Sequence, residues 1–192
     1  MKDILSLAVI IAACSCSNNS IILKEVAKDT IARQSVSVVI KVSAADICSK
    51  PQVPILCYHH IRPLKKNSTN DYVVTPSSFG EQMKALADSG YHTVLPADLE
   101  RYYTLNKVLP PKPIMLTFDD TDLEQFTIAE AEMKKYGYKG VFFIMNISIG
   151  KRNYMSAENL KTLAAEGNIV GAHTWDHRRV TDYNDSAWNK QL

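Results

Sequence analysis

The 192-residue sequence predicts an α/β protein built on a parallel sheet. From Val53 onward, short apolar runs alternate with amphipathic helical stretches, an alternation typical of βα units. Glycines follow three of the helical stretches, at positions 90, 137 and 167, where they are expected to end the helices. The composition is 46% hydrophobic with 7 glycines and 8 prolines, so the chain can bury a core and is neither disordered nor collagen-like.

The charge balance and the cysteine content limit which partners, metal sites and disulfides are expected. The chain has 22 Lys and Arg against 20 Asp and Glu, a near balance that argues against a nucleic-acid partner. Its 4 cysteines contain no pair of CxxC motifs, so a structural zinc site of that kind is not expected. Cys48 and Cys57 could form a disulfide in an oxidising compartment, but burial of Cys57 as an apolar residue is the favoured alternative.

The first 13 residues predict an export signal. Lys2 precedes an apolar run over residues 4–13, which is too short for a helix that spans about 30 Å of hydrocarbon. Residues 11–14, Ile-Ala-Ala-Cys, resemble a bacterial lipobox, which implies a lipoprotein signal peptide at 1–13 and a lipidated Cys14 as the membrane anchor. An ordinary signal cleaved near Ala13 is the alternative. Either reading predicts export, and the lipobox predicts the bacterial cell envelope.

Residues 14–51 are predicted to be a tether, with at most one strand over residues 36–42. Residues 52–192 form the predicted globular domain. Its first strand covers Val53–Tyr58 and is followed by a helix over Phe79–Asp88 with a capping box at Ser78–Glu81. The other predicted strands are Tyr91–Leu95, Pro113–Phe118, Gly140–Met145 and Asn168–Ala172. The other predicted helices are one near Asp98–Tyr103, one with Phe126, Ala129, Met133 and Tyr136 on one face, one capped by Ser156, and one that begins at Asp185.

These elements amount to about five βα units. A closed barrel of seven or eight such units needs about 200–250 residues, so the predicted barrel is partial. A parallel sheet of five strands should leave an open edge near Ile169.

Three of the predicted strands end in residues that can bind a metal. His59 and His60 follow the first strand, Asp119 and Asp120 follow the third, and the segment His173–His177 follows the fifth. Each pattern alone is typical of a turn, a helix cap or a structural histidine. Because the carboxyl ends of parallel strands meet at one edge of the sheet, their common placement favours a functional site there.

The residue types at this edge suit a divalent transition metal. His173 and His177 are four residues apart, and together with one carboxylate they provide three ligands and leave positions open for water. The second aspartate is then free to act as a general base. Two histidines and one carboxylate also form the site of mononuclear iron oxygenases, an alternative that the tandem aspartates and their placement at a strand end argue against.

Two motifs resemble those of the polysaccharide deacetylases of carbohydrate esterase family 4, also called the NodB homology domain. They are Thr117–Asp120 (TFDD) and His173–His177 (HTWDH). The resemblance implies that Asp119 is the catalytic base and that Asp120, His173 and His177 hold the metal, which is usually zinc. It also implies a partial, distorted (β/α) barrel of the family's seven-stranded type.

By the same resemblance, the substrate is an acetylated polysaccharide such as poly-N-acetylglucosamine, peptidoglycan or a chitin-like glycan. The expected reaction is hydrolysis of its N-acetyl groups, with O-acetyl esters as the nearest variant. The segments Pro54–His59, Phe79–Met83 and Leu109–Pro113 look like the branch that includes the poly-N-acetylglucosamine deacetylases.

The sequence departs from the family pattern in two ways. Thr121 occupies a position where the family usually has glycine, so a β-branched residue must form a tight turn. The later motifs are absent, including the histidine that protonates the leaving amine. The alternative is therefore a catalytically impaired metal- or glycan-binding lipoprotein. Trp175 is placed where substrate could pass, whereas His59 and His60 are expected to contact substrate or to pack, outside the metal set.

Overall fold

The computed structural model describes residues 42–64 and 71–191. The expected export signal, Cys14 and most of the expected tether lie outside these residues, including the strand expected from residue 36. No helix in the described part has both the length and the apolar composition needed to cross a membrane.

The predicted parallel sheet is present and contains five strands. They are β1 (Ile55–Tyr58), β4 (His92–Thr93), β5 (Pro113–Phe118), β6 (Val141–Ile144) and β7 (Ile169–Ala172). The order is β1-β5-β6-β7, and β4 pairs with the start of β5. Two short strands, β2 (His60–Ile61) and β3 (Val73–Val74), form a separate parallel pair. The α/β class is confirmed, although most of the strands are shorter than predicted.

Helices connect these strands. They are α1 (Ala44–Ser49), α2 (Pro76–Asp88), α3 (Pro96–Leu105), a π-helical segment (Gln125–Glu130) that continues as α4 (Ala131–Lys134), α5 (Ala157–Ala165) and α6 (Asp185–Trp188). Two 3₁₀ turns cover Asn146–Ser148 and Val180–Asp182. The predicted cap of α5 is confirmed, because the Ser156 side chain accepts a hydrogen bond from the Asn159 amide.

The start of α2 differs from the prediction. The helix begins at Pro76, and the Thr75 hydroxyl caps it by accepting a hydrogen bond from the Ser78 amide at 3.2 Å. The predicted capping box at Ser78–Glu81 is therefore wrong. Proline fits the first position of a helix because its missing N–H has no partner there in any case.

A helix also lies within the segment expected to be a tether. Ser43 and Asp46 form a capping box at the start of α1. Lys50, which follows α1, donates hydrogen bonds from Nζ to the carbonyl oxygens of Tyr102 and Tyr103 at the end of α3. The residues just before β1 are therefore attached to the sheet domain.

The core lies behind β5 and is dominated by aromatic rings. Phe118 stacks on Phe142 of the neighbouring strand, with ring centroids 4.7 Å apart, and on Tyr58 at 5.5 Å. Phe79 from α2 meets Tyr58 edge-on, and Phe79, Phe118 and Phe142 are fully buried. This packing holds the end of β5 rigidly, immediately before the aspartate pair.

Both outer strands of the sheet leave an edge without a partner strand in the described residues. β7 pairs only with β6, and Ile169 and Val170 are each 39% exposed, so the open edge predicted near Ile169 is confirmed. At the other side, β1 pairs only with β5 and Ile55 is 55% exposed.

Candidate metal centre and active site

The carboxyl ends of β1, β5 and β7 bring the predicted site residues together. The parallel register Cys57↔Thr117 and Tyr58↔Phe118 places the residues that follow β1 beside those that follow β5. The β7 residues pair in turn with β6, so His173 emerges at the same edge. Asp119, Asp120, His173 and His177 all lie in this one site.

Three side chains have the arrangement of metal ligands. Asp120 Oδ1 lies 3.4 Å from His173 Nε2 and 3.4 Å from His177 Nε2. Ligand bonds of about 2.0–2.2 Å in tetrahedral geometry place neighbouring ligand atoms about 3.4 Å apart. Among the described residues, Asp120 Oδ1 and His173 Nε2 are buried without a hydrogen-bond partner. Two adjacent buried polar atoms without partners fit a site for a divalent cation.

The backbone around these ligands is strained. Asp120, Thr121, Thr174 and His177 all have positive φ, between 58° and 80°. Such conformations disfavour side chains with a Cβ and occur where the surrounding structure imposes them. The two loops therefore form sharp turns that direct the ligand side chains toward one point.

Thr121 forms the turn in which the family usually has glycine. Its φ is 68° and its side chain is fully buried. The hydroxyl oxygen accepts a hydrogen bond from the Met145 amide at 2.7 Å, and the Thr121 carbonyl accepts one from the Met155 amide at 3.0 Å. These bonds offset the strain and tie the aspartate loop to the segment after β6.

Asp119 approaches both the metal triad and His59. Its Oδ2 is 3.9 Å from His173 Nε2 and 3.9 Å from His59 Nε2. The Asp119 amide donates to the Tyr58 carbonyl at 2.9 Å, which fixes the loop against β1. A carboxylate in this position can accept a proton from water near the triad.

His59 is a site residue to which sequence reasoning gave no definite role. Its ring meets Tyr72 edge-on at 4.8 Å, and its side chain is 23% exposed. The signal was present in the sequence: continuing the β1–β5 register by two residues beyond Cys57↔Thr117 places His59 opposite Asp119. The pairing of β1 with β5 had to be known before that signal could be used.

Cys57 also faces this site. Its Sγ lies 3.6 Å from Asp119 Oδ2 and 4.0 Å from His59 Nδ1. Cys57 and Cys48 are both exposed, free thiols, so the expectation that Cys57 is buried is wrong. Partial desolvation raises the pKa of the Cys57 thiol, and the nearby Asp119 carboxylate raises this pKa further, against a hydrogen bond with Thr117 that lowers it.

The Gln125 side chain links the loop after β1 to the loop after β5. Its side chain is fully buried, and Nε2 donates hydrogen bonds to the carbonyl oxygens of His59 (2.8 Å) and Asp119. Gln125 begins the π-helical segment, in which the irregular backbone directs this side chain toward the ends of β1 and β5. No sequence motif indicated this role.

His60 points away from the metal triad. Its Nδ1 is hydrogen-bonded to the buried Asp122 carboxylate. The same carboxylate accepts a hydrogen bond from Arg62 Nη2 at 2.8 Å. Arg62 Nε pairs with Glu124 at 2.7 Å. This ion-pair cluster fastens the loop after β1 to the loop after β5, so His60 has a packing role.

Trp175 lies between His173 and His177 in the loop after β7, and 46% of its surface is exposed. Its amide donates to Gln191 Oε1 at 3.0 Å, and its carbonyl accepts from the Ile147 amide at 2.9 Å. The backbone is thus fixed while the indole ring remains open to a ligand.

Comparisons with known proteins agree with this fold. A family model described as polysaccharide deacetylase matches residues 106–192. YxkH of Bacillus subtilis, whose name assigns it to the polysaccharide deacetylases, is 34% identical over 126 residues, which are 66% of this chain and 43% of that protein. The peptidoglycan-N-acetylglucosamine deacetylase of Bacillus cereus is 28% identical over 123 residues, 63% of this chain and 42% of that protein.

A solved structure shows the same fold. The Streptococcus pyogenes deacetylase PplD, solved in complex with acetate, aligns with a TM-score of 0.67 and 24% identity over 73% of this chain and 64% of its own. The parallel sheet and the residues at its carboxyl edge define an α/β protein of the deacetylase barrel type. Over residues 106–192 the chain is similar to the polysaccharide deacetylases, and its sheet and helices have the NodB-type fold of the deacetylase structures. It spans less than half the length of the two curated relatives.

Proposed function

We propose that this protein is a metal-dependent hydrolase that removes N-acetyl groups from a polysaccharide. The observation that carries the proposal is the position of Asp119, 3.9 Å from His173 and next to the Asp120, His173 and His177 triad. Zinc or another divalent transition metal suits two imidazoles and one carboxylate. Such an ion supplies a Lewis acid for the acetyl carbonyl and makes water a stronger nucleophile near neutral pH.

The protein residues supply the proton transfers. Asp119 Oδ2 accepts a proton from the attacking water as the carbon–oxygen bond forms. His59, whose Nε2 lies 3.9 Å from Asp119 Oδ2, donates a proton to the amide nitrogen as the carbon–nitrogen bond breaks. The products are acetate and a free amine on the sugar.

An exposed site suits a polymer. The His177 side chain is 52% exposed and Trp175 is 46% exposed, so a glycan chain can reach the triad without a deep pocket. An aromatic ring beside the site can stack on a sugar. We favour peptidoglycan or poly-N-acetylglucosamine over O-acetyl esters, because the Bacillus cereus relative is named for an N-acetylglucosamine substrate. A lipidated Cys14 would keep the enzyme at the envelope, near such substrates.

The test is acetate release from N-acetylglucosamine oligomers and from peptidoglycan by the purified, zinc-loaded protein. Asp119→Asn and His59→Gln should each lower kcat about 10²–10⁴-fold, the usual contribution of a general base or acid. Both variants should retain zinc at the triad. His60→Gln is the matched control, because it changes a neighbouring histidine that faces the Asp122 cluster.

The outcomes separate the two candidate functions. Acetate release that is lost in Asp119→Asn supports the deacetylase. Stoichiometric zinc without acetate release from any glycan would instead identify a metal- or glycan-binding protein without turnover.

A further inference from the structure

A second group of metal-ligating side chains lies beside the triad, and the proposed reaction does not use it for metal. Cys57, His59 and Asp119 each offer a ligand atom, and these atoms lie within 4.8 Å of one another. Cys57 Sγ is 3.6 Å from Asp119 Oδ2, and its distance to His59 Nδ1 is 4.0 Å. This group and the triad share no residue, but Asp119 and Asp120 are adjacent in the chain.

The spacing of the second group fits a thiolate metal site. A zinc–sulfur bond of about 2.3 Å and a zinc–oxygen bond of about 2.1 Å, at a tetrahedral angle, place sulfur and oxygen about 3.6 Å apart. The observed Cys57–Asp119 distance equals this value. The two short His59 distances involve different ring nitrogens: Nε2 lies 3.9 Å from Asp119 Oδ2, and Nδ1 lies 4.0 Å from Cys57 Sγ. Because one nitrogen must bind the ion, the ring must rotate and move inward before a single atom can reach it.

We propose that Cys57, His59 and Asp119 form a second, inhibitory site for a soft divalent cation such as Zn²⁺ or Cd²⁺. The inhibitory part rests on the proposed deacetylase function. An ion held by these residues occupies Asp119 Oδ2, the proposed proton acceptor, and a nitrogen of His59, the proposed proton donor. Both groups are then unable to transfer protons.

The triad should fill before the second group. Asp120 Oδ1 is already 3.4 Å from the Nε2 atoms of His173 and His177, whereas the second group needs the His59 ring to shift. Thiolate selects zinc and cadmium over magnesium, calcium or manganese. One equivalent of zinc should therefore activate the protein, a second should inhibit it at least tenfold, and magnesium should not inhibit.

The experiment is a Co²⁺ titration of the full chain, followed by optical absorption. The triad contains no sulfur, so the first equivalent should give only weak ligand-field bands. The second should give an intense thiolate-to-cobalt charge-transfer band in the near ultraviolet. Cys57→Ser should abolish that band, although it retains the other three cysteines, and Cys48→Ser should keep it.

Activity at one and at two equivalents of zinc completes the test. In Cys57→Ser the second equivalent should no longer inhibit. A charge-transfer band that persists in Cys57→Ser, or no such band in the wild type, would overturn the second site. A protein that shows the Cys57-dependent band but never releases acetate would retain the site and refute the deacetylase function instead. Inhibition that is unchanged in Cys57→Ser would refute the inhibitory role.

Discussion

The buried part of β5 and the loop that directly follows it differ in packing and in backbone strain. Leu116 and Phe118 are fully buried, and Phe118 stacks on Phe142 with the rings 13° from parallel. A few residues later, Asp120 and Thr121 have positive φ, and Asp120 Oδ1 has no hydrogen-bond partner among the described residues. The packed and the strained regions are adjacent in sequence.

This contrast shows where the protein concentrates its unfavourable features. Each residue held in such a backbone region costs about 1–3 kcal/mol, and the surrounding structure must offset that cost. The aromatic core on one side and the hydrogen bonds of Thr121 and Gln125 on the other provide the compensation. Four of the residues with positive φ and two of the buried polar atoms without partners therefore lie at the proposed metal centre, where a cation would bind the unpaired atoms.

The largest effect should come from removing part of the core. Phe142→Ala should lower the free energy of unfolding by about 3–5 kcal/mol, because it deletes a fully buried ring and leaves a cavity. Urea denaturation measures this loss, and Val108→Ala, at a position 94% exposed, should change stability by less than about 0.5 kcal/mol. If the core packing and the proposed metal centre are energetically independent, the folded Phe142→Ala protein should bind zinc with the same affinity as the wild type. A large loss of zinc affinity would contradict the separation.

The second prediction concerns how much zinc binding at the triad stabilises the folded protein. Zinc at about one hundred times its Kd should raise the free energy of unfolding by about 2.7 kcal/mol. In Asp120→Ala most of this increase should disappear, while the metal-free variant should remain about as stable as the wild type, because the substitution removes an oxygen that has no partner. Asp182→Ala, at an exposed position, is the control. A full zinc effect in Asp120→Ala would place the ion elsewhere.

A smaller effect is expected from the turn at Thr121. Thr121→Val leaves the buried Met145 amide without its acceptor and should cost about 1–3 kcal/mol. Thr121→Ser keeps the hydroxyl and should retain most of the stability, as measured by thermal or urea unfolding. If the serine variant were as unstable as the valine variant, the methyl group of threonine rather than its hydrogen bond would support the turn.

The sequence predicted features that depend on short-range patterns. The end of β5 at Phe118 and the cap at Ser156 follow from local sequence patterns. The grouping of Asp120 with His173 and His177 follows from the family resemblance and from the placement of these residues at strand ends. The places of His59 and Gln125 depend on which strands pair and on a π-helical backbone. Those are consequences of tertiary packing, which local patterns do not encode.

The smallest expected effect on stability concerns Glu130, a buried carboxyl group away from the proposed metal centre. Its surroundings differ from those of Asp120. Its burial, together with a hydrogen bond to Glu166, raises the pKa of the Glu130 carboxyl. A hydrogen bond from Lys134, followed by one with Glu130, lowers the pKa of Glu166. Here the Glu166 carboxylate accepts a hydrogen bond from Lys134 Nζ at 2.6 Å, whereas Asp120 Oδ1 has no hydrogen-bond partner in the described chain.

The pKa shift of Glu130 fixes the sign of a pH dependence. Because its folded pKa lies above its unfolded value, its stabilising contribution is complete at pH below the unfolded pKa and is lost as pH rises through the folded pKa. Glu130→Gln keeps the side chain neutral at every pH. The variant should therefore gain stability relative to the wild type as pH rises from acid toward neutral, in urea unfolding measured across that range. Glu158→Gln, on the exposed face of α5, controls for the substitution itself. A gain toward acid pH would mean that Glu130 is held as the carboxylate, and the contrast with Asp120 would then disappear.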